Sequence, residues 1–176
     1  MRYLLQFLIL SVISYSANAV AQRCGATCAN AESLLGSSEQ TLVGSIPELK
    51  RVTKPIAGPR GLRGKWVLPE LIFAAYPYTV TYYIGAAQVN RIELFSTVSR
   101  DQCMQKLPFD AALAELAKTY GENQVVDKFE ESGKLTLSVA FNSHTVDVSL
   151  YFSSSEDDCF TRVIYRTREV KDASEL

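Results

Sequence analysis

The chain is short of the residues on which enzyme chemistry most often rests. It holds one histidine, His144, and four cysteines in 176 residues. A single imidazole, with Cys24 and Cys28 separated by three residues and Cys103 and Cys159 far beyond, does not match the paired ligand spacing of a zinc site. No metal or other cofactor is expected. His144 lies between Ser143 and Asp147 in a turn pattern, and sequence neighbours on a hairpin do not present a Ser-His-Asp triad. Phosphate-cradling glycine motifs are missing too: no G-x-x-x-x-G-K-S/T or G-x-G-x-x-G follows a strand, and the glycines of GPRGLRGK lack that spacing. The acidic run SSSEDDC (Glu156, Asp157, Asp158) lacks the alternating ligands and sharp glycine turn of a calcium loop. It reads as a solvated loop whose charge discourages edge pairing.

An excess of one charge sign is also absent, since 18 basic side chains stand against 19 acidic ones. Long apolar runs are confined to the start. There Arg2, the run YLLQFLILSVI and the small residues from Ser14 to Ala21 have the three-part layout of a secretory signal peptide. The run is short of the roughly 20 residues that a spanning helix needs. Cleavage is expected before Gln22, so residues 1–21 are assigned to the leader. Cys24 follows Gln22-Arg23 instead of small residues, which speaks against a lipid anchor. The mature protein is therefore expected to be periplasmic or secreted, with no membrane span. Export and overall acidity argue against nucleic acid as a partner.

All four cysteines lie beyond the leader, and an even count in an exported chain favours disulfides. Of the three pairings open to them, Cys24 with Cys28 and Cys103 with Cys159 is expected. The first two are four residues apart, and the others flank one strand-rich half. CGATC has three residues between its cysteines, one more than thioredoxin-type chemistry uses, so a structural clip is the better reading.

Along the remaining chain, residues 22–52 read as short helices. Ser37 with Gln40 and Ser45 with Glu48 fit capping boxes, with Gly44 as the joint. Residues 53–64, rich in proline and glycine, read as a loop. The period then changes to two. A short strand at Trp66-Val67-Leu68 precedes a hairpin in which Tyr78, Val80, Tyr82 and Ile84 alternate and Ile92 and Leu94 share a face. Phe109, Ala112, Leu113, Leu116, Ala117 and Tyr120 recur at helical spacing, with Gly121 placed to stop the helix. Four strand patterns follow: VVDKFE, then Leu135 to Phe141, Val146 to Phe152, and CFTRVIYRT. Their short turns at Glu131-Ser132-Gly133 and Asn142-Ser143-His144 suit a meander.

The expected fold class is α+β, an antiparallel β-meander sheet packed by helices. The main body is placed at residues 65–168, with a flexible tail at 169–176. A repeat of two tandem α-β-β-β units is visible, the second starting near residue 104 with an extra strand. This order of elements from Leu34 to Thr167, including LLGSSEQTLVGSIP before the first sheet, resembles the helix-then-meander units of the beta-lactamase inhibitor protein and of small envelope-assembly lipoproteins. The resemblance implies an exported protein-binding module and carries no site residue. The absent lipid-attachment cysteine departs from the lipoprotein group.

What is plentiful is local charge. KRVTKPIAGPRGLRGK, Lys50 to Lys65, carries six basic side chains and no acidic one. With those six and Arg2 set aside, eleven basic side chains face 19 acidic ones, a net of about −8. Such separation steers oppositely charged partners, although a solvated loop can carry it for no purpose. Lys54, Arg60, Arg63 and Lys65, with Trp66 and Tyr83 close by, are the candidate binding residues, because Trp, Tyr and Arg dominate interface energetics. The expected partner is another exported protein with an acidic surface or cleft. The expected role is an inhibitor or immunity module occluding an envelope hydrolase or toxin. The alternatives are a housekeeping envelope-assembly protein and a small wall-acting hydrolase using Glu70, Glu93 or Asp147.

Overall fold

Tyr78, Val80, Tyr82 and Ile84 alternate as their spacing predicts, and each is at most 3 % exposed. They belong to the central part of an eight-stranded antiparallel sheet. The computed structural model describes residues 31–122 and 125–168. The expected leader, Cys24, Cys28 and the tail at 169–176 lie outside the described residues. In chain order the elements are α1 (Ala31–Leu34), α2 (Glu39–Ser45), β1 (Lys50–Ala57), a 3-10 turn (Pro59–Gly61), β2 (Arg63–Phe73), β3 (Tyr76–Gly85) and β4 (Gln88–Ser96). Then come α3 (Arg100–Met104), α4 (Leu107–Tyr120), β5 (Val125–Glu131), β6 (Lys134–Asn142), β7 (Val146–Ser154) and β8 (Cys159–Thr167).

The fold is α+β, and its sheet order is β1-β2-β3-β4-β8-β7-β6-β5. Each half is thus helices followed by a four-stranded meander, and the halves join where β4 pairs antiparallel with β8. The two units extend one sheet. The first unit has four strands where the sequence pattern shows three, because the basic segment supplies β1.

That segment is the main correction to the expected organisation. Residues 53–57 of the expected loop at 53–64 are edge strand, residue 63 opens β2, and only 58–62 turn the chain. The body of the sheet therefore begins at Lys50 and not at residue 65. Pro55 is tolerated because an edge strand needs only one row of hydrogen bonds, and the pairing of β1 with β2 shifts register between Arg51 and Ile56. Lysine, proline and a bulge are the devices that keep a sheet edge from recruiting further strands. The short strand at Trp66-Val67-Leu68 is longer than its pattern, running past Pro69 through a bulge between Leu68 and Leu71. The Thr79 hydroxyl donates to the Pro69 carbonyl there at 2.9 Å.

The first helices are also displaced from their expected caps. Ser38, one residue after Ser37, caps α2 by accepting from the Thr41 amide at 3.0 Å. Ser37 donates to the Leu34 carbonyl at 2.6 Å and so closes α1. The joint is Gly36, at φ 79°, where only glycine is comfortable. Gly44 sits within α2, and Ser45 ends that helix with its hydroxyl on the Leu42 carbonyl.

All helices among the described residues lie on one face of the sheet. Leu34 of α1, Leu42 of α2 and Phe109, Ala112 and Leu116 of α4 join the inward residues of β2, β3, β4, β6, β7 and β8 in one continuous core. Phe109 packs tilted against Phe152 at 5.8 Å between ring centres. The Tyr78 hydroxyl crosses between units to donate to the Pro108 carbonyl at 3.2 Å. Cys103 of α3 and Cys159 of β8 form the expected disulfide across 56 residues of chain. Closing a loop of that length contributes about 4 kcal/mol in the chain-entropy picture.

Candidate functional site

The face opposite the helices is covered by no element among the described residues except the turn between β1 and β2. Its side chains stand in rows set by strand register. One row runs Thr79, Phe95, Arg162, Tyr151 and Ser138 across β3, β4, β8, β7 and β6. A second runs Tyr83, Arg91, Arg166, Asp147 and Asn142 across the same strands.

In the first row the Arg162 guanidinium lies 5.6 Å from the Phe95 ring centre and 5.2 Å from that of Phe160. The two rings stack on each other at 5.6 Å. Phe95 remains 40 % exposed, yet the Nε of Arg162 is enclosed without a hydrogen-bond partner. A donor left unsatisfied in that way is destabilising for the isolated fold. The cluster therefore has the composition of an interface anchor and a local energetic debt.

The second row is ionic. The Nε of Arg91 donates to Glu93 at 2.6 Å, and that of Arg166 faces Asp147 at 3.3 Å. Arg91 also lies 6.0 Å from the Tyr83 ring centre. Burial, then the Glu93 carboxylate, pushes the Tyr83 hydroxyl above its ordinary range. The turn Pro59–Gly61 closes over this end of the face. Pro59, Arg60, Leu62, Asn90, Arg91, Asp147, Arg166 and Thr167 line a hollow of about 530 Å³ beneath it.

The six candidate binding residues fall into three places. Lys54 is exposed on the edge strand β1, and Arg63 is exposed at the start of β2. Lys65 and Trp66 are drawn to the helical side, where Glu39 accepts from the Lys65 ammonium at 2.9 Å and from the Trp66 indole at 2.8 Å. Those two hydrogen bonds hold the Glu39 carboxyl below its ordinary value. Tyr83 is buried under the turn, and Arg60 reaches the hollow from it. Arg60 and Tyr83 are thus brought to one end of the uncovered face, and Lys65 and Trp66 are not.

Gly58 and Gly64 of the basic segment make room for the Tyr83 ring. A Cβ at Gly58 would lie 2.7 Å from Cδ1 of Tyr83, and one at Gly64 would lie 3.2 Å from its Cε1 and 2.9 Å from Thr81. Arg91, Arg162, Arg166, Phe95 and Phe160 were missed by sequence reasoning. The available signal was the outward positions of VNRIELF and CFTRVIYRT, where basic and aromatic residues alternate with the core set.

Several of the groups weighed for catalysis are engaged elsewhere. Ser143 donates to Glu32 at 3.0 Å and accepts from the Thr145 and Val146 amides. Asp147 pairs with Arg166 and not with the exposed His144. In the loop Glu156-Asp157-Asp158, Arg100 donates to the Ser155 and Glu156 carbonyls. Among the described residues, no group of three or more His, Cys, Asp or Glu could hold a metal ion. No helix among them is long and apolar enough to cross a membrane. Burial raises the Tyr120 hydroxyl to about 12 beside a shallow hollow that His144 and Arg168 also line. No protein family, curated protein or solved structure matches the chain.

Proposed function

We propose that the protein is an exported binding module of the inhibitor or immunity type, which occludes an envelope hydrolase or toxin with the uncovered face of its sheet. The observation that carries this reading is the Phe95, Phe160 and Arg162 cluster, joined across β8 and β7 by Tyr151. A few aromatic and arginine side chains often supply most of the energy in protein interfaces. The Cys103–Cys159 bridge suits an oxidising compartment and ties α3 to the central strand β8. The expected leader points the same way.

On this reading the binding surface is the face of the sheet, with the basic turn at one end of it. Gly58 of the turn gives room to the Tyr83 ring, and Lys65 and Trp66 are occupied by Glu39. The test is capture of a hydrolase from envelope extract by the purified protein. Capture lost with Phe95→Ala or Arg162→Glu supports the face. Capture lost only with Arg60→Glu plus Arg63→Glu returns the role to a protruding basic turn. Recovery of assembly proteins alone favours the housekeeping reading.

A second reading, a small wall-acting hydrolase, has its carboxylates in Glu93 and Asp147, both held by arginines, and in the exposed Glu70. Zymography of the purified protein decides it: lysis abolished by Asp147→Asn overturns the binder.

A further inference from the structure

We infer that the hollow beneath the β1–β2 turn is a carboxylate-binding pocket that receives an acidic side chain from the partner. This rests on the reading of the uncovered face as a binding surface and names the chemistry at one end of it. Three arginines from three elements, Arg60 of the turn, Arg91 of β4 and Arg166 of β8, line a hollow of about 530 Å³. Arg91 and Arg166 stand directly opposite each other in the β4–β8 register. Like charges in that relation work against the sheet. Each is offset by a carboxylate, Glu93 and Asp147, and of these two only Asp147 lines the hollow.

Two further features belong to the same place. The β3–β4 pairing shifts register between Tyr83 and Ile84, so Asn90 and Arg91 fall consecutively between the buried Val89 and Ile92, and both line the hollow. A bulge that re-aims a side chain is common beside functional sites. The Oδ1 of Asn90 is enclosed there without a hydrogen-bond partner. Arg60 itself holds φ 52°, a backbone state that a non-glycine residue adopts at a cost and that persists where the surroundings enforce it.

Chemically, planar guanidinium groups favour a carboxylate, which accepts two parallel hydrogen bonds from one fork. Asp147 already offers such a carboxylate from within the chain, paired with Arg166 at 3.3 Å while that arginine's side chain stays 56 % exposed. It therefore competes with the incoming group. Removing its charge strengthens binding, which a role confined to internal stability does not predict.

The experiment is an NMR titration of the protein with a hexaglutamate peptide, a hexalysine peptide and inorganic phosphate at matched ionic strength. The expected result is saturable shifts at the amides of Asn90, Arg91 and Arg166 with hexaglutamate alone. Affinity should fall about tenfold in Arg166→Gln and in Arg60→Asn, and rise several-fold in Asp147→Asn. Arg60→Asn suits the left-handed turn and Arg166 is exposed, so neither change threatens the fold. Shifts confined to other sites, an affinity untouched by Arg166→Gln and Asp147→Asn, or an equal response to phosphate would each overturn the assignment. Hydrolase capture that depends on Arg162 but not on Arg60 or Arg166 leaves the face reading intact and removes the pocket from it.

Discussion

The ring of Tyr83 lies against the backbone of Gly58, so close that a Cβ there would sit 2.7 Å from Cδ1 and 2.9 Å from Cε1. Tyr83 is 6 % exposed and has little room to retreat. Gly58→Ala is expected to destabilise the protein by about 1 to 3 kcal/mol, the usual range for overpacking. Chemical denaturation measures it, and an unchanged midpoint would mean that the turn lifts freely off the sheet.

The β3–β4 turn runs through Ala86 at φ 49° and Ala87 at φ 61°. That is the two-residue hairpin geometry for which Asn-Gly is suited and alanine is not. Both alanines are exposed. Replacing the pair by Asn-Gly should raise stability by about 1 kcal/mol, seen as a higher Tm, because the left-handed strain is relieved.

Glu39 makes acid sensitivity visible at Trp66, the one tryptophan of the chain. The hydrogen bond from Lys65, followed by that from Trp66, lowers the Glu39 pKa from its ordinary 4.5. A depressed carboxylate contributes stability that is present above the unfolded value and is lost as pH falls through the folded one. Trp66 fluorescence should therefore report weakening below about pH 4.5 in the native protein. In Glu39→Gln that acid dependence should flatten, with lower stability at neutral pH.

Arg162 should separate stability from binding. Its enclosed, unpartnered Nε works against the fold, while its contacts with Phe95 and Phe160 work for it. Arg162→Leu is expected to leave stability unchanged or to raise it by up to about 1 kcal/mol. Hydrolase capture should be lost at the same time. Thermal denaturation and capture on the same sample check both halves.

Reduction of Cys103–Cys159 removes the link between α3 and β8 across 56 residues. The paired change Cys103→Ser with Cys159→Ser should cost about 4 kcal/mol or less. Denaturation under oxidising conditions measures it.

Much of this was legible beforehand, and for a local reason. Strands β3, β4, β6, β7 and β8 declare themselves because one face of each is buried, so apolar residues recur every second position. Helix α4 does so through Phe109, Ala112 and Leu116. β1 gives no such signal: all but one of its eight residues are exposed, and its proline and lysines belong to an edge. The same absence of burial hid the binding candidates on the outward positions of β4 and β8, which periodicity marks only as surface.

Composition and period alone settled the class, the meander and the long helix, since each follows from near neighbours; for the cysteines they favoured disulfides and left three pairings open, of which the fold shows Cys103 with Cys159. The order of the strands, the meeting of β4 with β8 and the arginines of two distant segments in one row did not follow from them. Those depend on pairing between distant segments, such as Arg91 with Arg166, and such contacts are chosen by the packing of the whole sheet and not by local sequence.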